Sequence, residues 1–459
     1  MEKPLFDLPE AQNSEKKERT GQPRVKRPNR QQLEWRPVDL DSTLALDHPA
    51  RLVWDLVEQL DLTPWYAEIQ AVTGHAGRDA IDPAILIALW LYATLEGVGS
   101  ARLLERLCNE HDAYHWLCGG VSVNYHTLAD FRVKYPDFLD SLLTKSVVAL
   151  IADGQVTLQR VAQDGKHVRA SAGSSSFRRR PKLEEHLKIA KEQVARLRKE
   201  LESDPQATTK RQQAARQRAV RERQERLGKA LKRMEEIEEE LPKPKKVSRK
   251  TEEQQSEKSK QAKKKLRNEP RVSSTDPEAR IMKMAGGGFR PAYNVQFATD
   301  TATQVIAGVI VSNQGNDKGQ LGAMQAHLEQ RYHFRSKEAL VDAGYFQYAD
   351  FTEVSEKGTV IYSPPANYYR SHQPDPYQPQ AKDTPPIAAW RQRMATESAK
   401  QIYKLRAATA ECVNAIAHNR GLQSFRVRGL AKVKAVALWY ALIHTLMRGV
   451  TLRMAALQA

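Results

Sequence analysis

The stretch VTLQRVAQDGKHVRAS (156–171) decides the reading of this chain. Its β-branched, apolar opening favours a strand, and the Asp-Gly pair at 164–165 reads as the turn that closes it. A second apolar run, EALVDAGYF (338–346), also ends on an acid, Asp342, before a glycine. A third acid, Glu411, lies inside the helical stretch QIYKLRAATAECVNAIAHN (401–419). An isolated strand-end Asp is usually turn chemistry. Two of them, each following apolar strand residues, are expected at the same edge of one sheet. Adjacent carboxylates repel unless a cation lies between them, so the pair points to a metal. Three carboxylates can hold two divalent cations, which activate a hydroxyl and stabilise a leaving oxygen in phosphodiester chemistry.

Working outward, the segments around 156–171 predict a mixed α/β core. Strands are expected at 156–163, 292–299, 303–312, 338–343 and 359–364, with a helix between Gly315 and Arg335. Three meandering strands, then helix, strand, helix, strand and a long terminal helix, is the order of an RNase H-like sheet flanked by helices. Upstream, residues 39–153 read as an all-α domain. Pro49 suits a first helical turn, Asp82 and Pro83 open DPAILIALWLYATLEGVGS, and Ser100 caps ARLLERLCNEHDAYHWL. Residues 1–38 read as a disordered basic tail. The catalytic domain, 154–459, is expected to be interrupted at 178–275 by an inserted basic helical hairpin. Leu183, Leu187, Ala190, Val194, Leu197 and Leu201 keep coiled-coil spacing there, SDPQATT breaks the helix, and a second helix runs from about 210 to 240. A low-complexity, disordered stretch follows.

Composition restricts the partner. The chain has 459 residues, 41% hydrophobic, and a formal net charge of +17. Such a surplus favours a polyanion, because Lys and Arg displace counterions from phosphates. It is unevenly placed: residues 178–270 alone hold 30 Lys/Arg against 17 Asp/Glu. Three cysteines cannot build a disulfide framework. The N-terminal residues lack a signal-peptide pattern, and ILIALWLYATL is too short to span a bilayer, so a soluble, cytoplasmic protein is expected.

Several other constellations carry less. Cys108, His111, His115 and Cys118 have a zinc-like spacing, but on one continuous helix they would stretch over about 15 Å, too far for one metal. Asp300 and Asp317 are further acids near strand ends, with Asp317 expected to cap the linking helix. Gly286–Gly288 lacks phosphate-loop spacing. Cys412 has no His or Asn arrangement that would make it a nucleophile.

Taken as an ordered set, HPARLVWDLVEQLDL, DPAILIALWLYATLEGVGS, YHTLADFR, DGKHVRAS, AYNVQFATD, VDAGYF and YKLRAATAECVNAIAHNRGLQSFRVRGLAKVK resemble the DDE transposases of bacterial insertion sequences. The likeness is strongest to the eleven-eighty-two insertion-sequence family and spans most of 45–175 and 275–450. The resemblance implies an RNase H-like core whose D-D-E triad, here Asp164, Asp342 and Glu411, binds two Mg²⁺ ions, with Mn²⁺ able to substitute. It implies cleavage at transposon ends and transfer of the freed 3′-OH into target DNA, by a homo-oligomer on double-stranded DNA near the nucleoid. Lys166, Tyr403, Arg406, His418 and Arg420 are the candidate DNA contacts. Many relatives carry a lysine seven residues after the glutamate, where this chain has His418. Two alternatives stay open: a domesticated, non-catalytic DNA-binding protein, and a metal-dependent nuclease without strand transfer.

Overall fold

The computed structural model describes residues 39–71, 79–203, 210–240, 269–365 and 375–458. The expected tail at 1–38 and most of the low-complexity stretch after 240 lie outside the described residues. The helical segment comprises α1 (Pro49–Glu58), α2 (Thr63–Ala67), α3 (Pro83–Leu95), α4 (Ala101–Glu110), α5 (Asp112–Cys118), α6 (Tyr125–Lys134) and α7 (Pro136–Ala152). Its starts are set by local chemistry. Pro49, Pro83 and Pro136 open helices, and the side chains of Asp82 and Ser100 accept the amides of Ala84 and Leu103.

One expected helix is two. His111 takes an extended conformation between α4 and α5 and its Nδ1 accepts the amide of Ala113, so it caps a new helix. The continuous stripe assumed for the Cys/His constellation therefore does not exist. Cys108 and Cys118 are instead both buried in the core, and His115 Nδ1 meets the Cys108 carbonyl at 3.1 Å.

The sheet is built from β1 (Arg160–Arg169), then, past the short paired strands β2 (Phe177–Arg178) and β3 (Val272–Ser273), from β4 (Arg280–Lys283), β5 (Phe289–Asp300), β6 (Ile306–Ser312), β7 (Glu338–Leu340) and β8 (Val360–Tyr362). The strand order is β4-β5-β1-β7-β8, with β6 also on β5. β1, β5 and β6 pair antiparallel, whereas β1, β7 and β8 are parallel. The first strand differs from expectation at both ends. Leu158 adopts φ +50°, a left-handed conformation rare for a bulky residue, so pairing cannot begin before Arg160. At the other end Asp164 and Gly165 do not turn; the long partner β5 carries the pairing on to Arg169, opposite Ala292.

Between β2 and β3 stand α8 (Arg180–Ser203) and α9 (Lys210–Glu240). They pack in opposite directions through Leu183, Ala190, Leu227, Ala230 and Met234, and the β2–β3 ladder closes their base. Downstream lie α10 (Gln320–Tyr332), α11 (Tyr348–Glu356), α12 (Pro385–Ala395), α13 (Glu397–Arg406), α14 (Cys412–Asn419) and α15 (Leu430–Gln458).

α15 joins the helical segment to the sheet. Val433, Leu438 and Trp439 share one core with Leu89, Leu143, Val309 and Phe297. By length and composition α15 could cross a membrane, which the reading of the sequence had excluded for every segment. In the fold 67% of its apolar window is buried inside the protein, as in a core helix. Three of its side chains clamp the β5–β6 connection: Thr445 Oγ1 donates to the Ile306 carbonyl at 3.1 Å, Arg448 Nε to that of Thr303 at 2.8 Å, and His444 Nε2 to that of Gln304 at 2.8 Å.

Burial pushes the His444 pKa down from 6.5 to about 4. Between those values the unfolded chain binds a proton that the native state refuses, so this residue makes stability rise with pH across the window, by about 3 kcal/mol. Denaturant titrations at pH 4.5 and 7 are expected to show a smaller pH difference for His444→Gln than for the wild type.

Candidate active site

The parallel register of β1 and β7 pairs Ala162 with Leu340. Two residues further on, Asp164 and Asp342 therefore emerge side by side at the C-terminal end of β7. Asp164 is still within β1, held by its antiparallel pairing with Phe297. Asp342 has left its strand, and its Oδ1 accepts the Gly344 amide at 2.7 Å, fixing a short 3₁₀ turn at Ala343–Tyr345.

Glu411 arrives from the helix. Between α13 and α14 the backbone makes a π turn, Ala407–Glu411. In an ordinary α-helix Arg406 and Glu411 would point about 140° apart. The wider turn brings residue i over i+5, so both side chains face the sheet. A carbonyl in this turn, that of Ala408, is taken up by Gln304 Nε2 at 2.8 Å.

Arg406 gathers all three acids. Its Nη1 donates to Glu411 Oε1 at 2.7 Å and its Nη2 to Asp164 Oδ1 at 2.8 Å, with Asp342 Oδ2 3.8 Å away. The Arg406 side chain is 9% exposed and that of Asp164 16%, against 41% and 56% for Asp342 and Glu411. Burial pushes the Asp164 pKa up, although the Arg406 charge and the Asn414 hydrogen bond oppose it. Burial works against the Arg406 charge too, but Asp164, Tyr403, Asp342 and Glu411 outweigh it and the guanidinium pKa is raised.

Other sequence candidates fall at graded distances from this centre. Lys166 Nζ donates to His418 Nδ1 and to the Asn414 carbonyl, each at 3.3 Å, and burial lowers its pKa. Tyr403 is half-buried in the core beside Asp342 and Arg406, and desolvation raises its pKa. Arg420 is elsewhere: its carbonyl accepts Tyr440 Oη at 2.9 Å and its backbone lies against Gly97, at the corner between α3 and α4. Asp300 is a turn former, its Oδ2 accepting the amides of Ala302 and Thr303.

Asn414, which sequence reasoning passed over, donates from Nδ2 to Asp164 Oδ2 at 2.8 Å. Its position three residues after Glu411, on the same helix face, was the available signal. Asp317 does not cap α10. Its Oδ1 accepts from Asn294 Nδ2 at 2.7 Å and from Gln296 Nε2, on the face of the sheet opposite Asp164. A Cβ at Gly165 would collide with those same three side chains, which explains a glycine in mid-strand. Tyr345 Oη donates to Gln296 Oε1, tying the turn after Asp342 to that network.

The carboxylates form a set of hard oxygen donors suited to Mg²⁺ or Mn²⁺, and Asn414 Oδ1 is buried without a hydrogen-bond partner beside them. Among the described residues no three His, Cys, Asp or Glu side chains are close enough to ligate one ion in this arrangement. The guanidinium spans the space that the acids face, so a divalent cation would compete with Arg406 for the same oxygens.

Two family models match the chain. One, described as a transposase domain (DUF772), covers residues 38–134, and the other, described as a transposase DDE domain, covers 250–446. Together they support a DNA transposase, of the DDE type found in insertion sequences. A DDE domain implies an RNase H-like fold, consistent with a three-strand meander followed by two parallel strands. Asp342 and Glu411 fall inside the second match; Asp164 lies between the two and joins them through the register of β1. Neither a curated protein nor a solved structure matched the chain.

Removing Arg406 leaves Asp164 buried and unpaired. Arg406→Ala is expected to lose about 3–5 kcal/mol of stability, whereas Asp342→Asn, at a longer and more exposed contact, changes it by about 1 kcal/mol or less. Chemical denaturation of both variants measures the difference.

Proposed function

We propose that the chain cuts DNA at transposon ends and joins the freed 3′-OH to target DNA, with a catalytic centre made of Asp164, Asp342 and Glu411. The observation that carries this reading is the convergence of three acids, from two strands and a helix, on one buried guanidinium. The eleven-eighty-two insertion-sequence family is the grouping we favour, on the motif order set out above.

Asp164, Asp342 and Glu411 would together hold the two divalent cations, Mg²⁺ by their hard donor set. Bound there, such ions lower the pKa of an attacking hydroxyl and stabilise the departing oxygen. Asn414 keeps Asp164 oriented through its hydrogen bond. Arg406, a planar donor fork at the same centre, would hold a phosphate bidentately. Lys166 brings a positive charge to the same rim, next to His418. Tyr403 is packed beside Asp342 and Arg406 as part of the wall of the centre.

Incubation of wild type and of Asp164→Asn, Asp342→Asn and Glu411→Gln with Mg²⁺ and end-containing DNA tests the proposal. Each variant is expected to cleave at least about 100-fold more slowly, a loss of about 2.7 kcal/mol in transition-state stabilisation, while still binding DNA. Cleavage that survives all three changes rejects the centre. Cleavage without strand joining by the wild type would make the protein a nuclease.

A further inference from the structure

A groove of about 740 Å³ opens where β1 ends, lined by Arg169, Arg290 and Arg426 and by the hydroxyls of Ser171, Ser174 and Ser424. No Asp or Glu lines it. All three arginines are exposed, and among the described residues none is ion-paired with a carboxylate. Elsewhere exposed arginines of this chain do find acids: Arg106 with Glu110, and Arg453 with Asp153. Three unpaired guanidinium groups around one polar groove are a site for a chain of phosphates.

The groove is also built. Arg169 N donates to the Gln423 carbonyl and Phe425 N to that of Arg169, so the 423–425 segment is fastened along the strand end. Arg428 Nε donates to the Ser171 carbonyl at 3.1 Å and pins the loop that forms one wall. The acids lead to it along α14 and its exit, in the order Glu411, Asn414, His418, Ser424, and Lys166, on the Asp164 face of β1, is bonded to His418 midway. Arg169, an odd number of residues after Asp164, turns to the other face where β1 ends, so the groove wraps the strand end.

We propose that this groove holds the backbone of the same DNA duplex that is cut at the acids. The inference rests on the DNA-transposase reading and adds a location to it. Five strand residues separate Asp164 from Arg169, about 17 Å. That distance covers about five base pairs of duplex, so the contacted phosphates lie about five base pairs from the scissile one.

The test is the salt dependence of binding. End-containing duplex is titrated with wild type and with the triple variant Arg169→Gln/Arg290→Gln/Arg426→Gln, without divalent metal, by fluorescence anisotropy at several salt concentrations. Three lost phosphate contacts are expected to reduce the slope of log K against log salt by about 3. Replacing the same arginines by lysine restores most of the slope. In the wild type, methylphosphonate substitutions about five base pairs from the cleaved bond weaken binding, and in the glutamine variant they do not. An unchanged slope overturns the groove even if the wild type cleaves DNA, and a wild type that does not bind DNA overturns both readings. A reduced slope alongside cleavage that survives the acid substitutions keeps the groove and discards the proposed centre.

Discussion

A guanidinium buried to nine-tenths cannot be left without counter-charge, and Arg406 meets that demand with three carboxylates drawn from distant parts of the chain. Taking such an ion out of water costs several kcal/mol, which only close, hydrogen-bonded partners offset. The requirement runs in both directions. Arg406 needs the acids to be where the sheet puts them, and Asp164, itself largely buried, needs Arg406 to remain charged. Three other features follow from this constraint: the level register of β1 and β7, the π turn that swings Glu411 inward, and the amide of Asn414 that occupies the second oxygen of Asp164.

The same interaction bears on catalysis. The carboxylates are gathered by a cation that cannot do Lewis-acid chemistry, and under the proposed function a divalent ion would displace it. Their mutual repulsion is already compensated by Arg406, so a metal ion bound there would exchange one counter-charge for another rather than assemble the acids from nothing. Behind them the scaffold is stiff. Helical segment, sheet and α15 share one hydrophobic core, so displacement of the sheet edge would disturb Trp439, Leu89 and Val309 together.

What the sequence disclosed, and what it hid, divides along the distance over which a residue's conformation is decided. Helix starts at Pro49, Asp82 and Ser100 were legible because capping involves three or four neighbouring residues. The three acids were singled out because each ends or interrupts a strongly patterned segment, and the fold brings all three to Arg406. The extent of β1 was not, because Asp164-Gly165 carries a turn signal locally, while β5 decides that the strand continues. Gly165 owes its place to Gln296, Asn294 and Asp317 on the far side of the sheet, a reason no local pattern contains. Asp317 looked like a helix cap for the same cause: its partners are more than 20 residues away. His111 breaks a helix that apolar spacing alone would continue, since its ring is a good enough acceptor to start another. Arg420, placed among charged neighbours in the sequence, is turned by the chain reversal at Gly421 toward Gly97 and Tyr440.

The central claim is that the three acids form one cation-binding centre that Arg406 now occupies. Diffraction from crystals grown with Mn²⁺, recorded for its anomalous signal, addresses it most directly. The account predicts anomalous density between Asp164 and at least one of Asp342 and Glu411, with the Arg406 guanidinium moved off the carboxylates. Ordered Mn²⁺ found only elsewhere, with Arg406 still joined to Asp164 and Glu411, would contradict it.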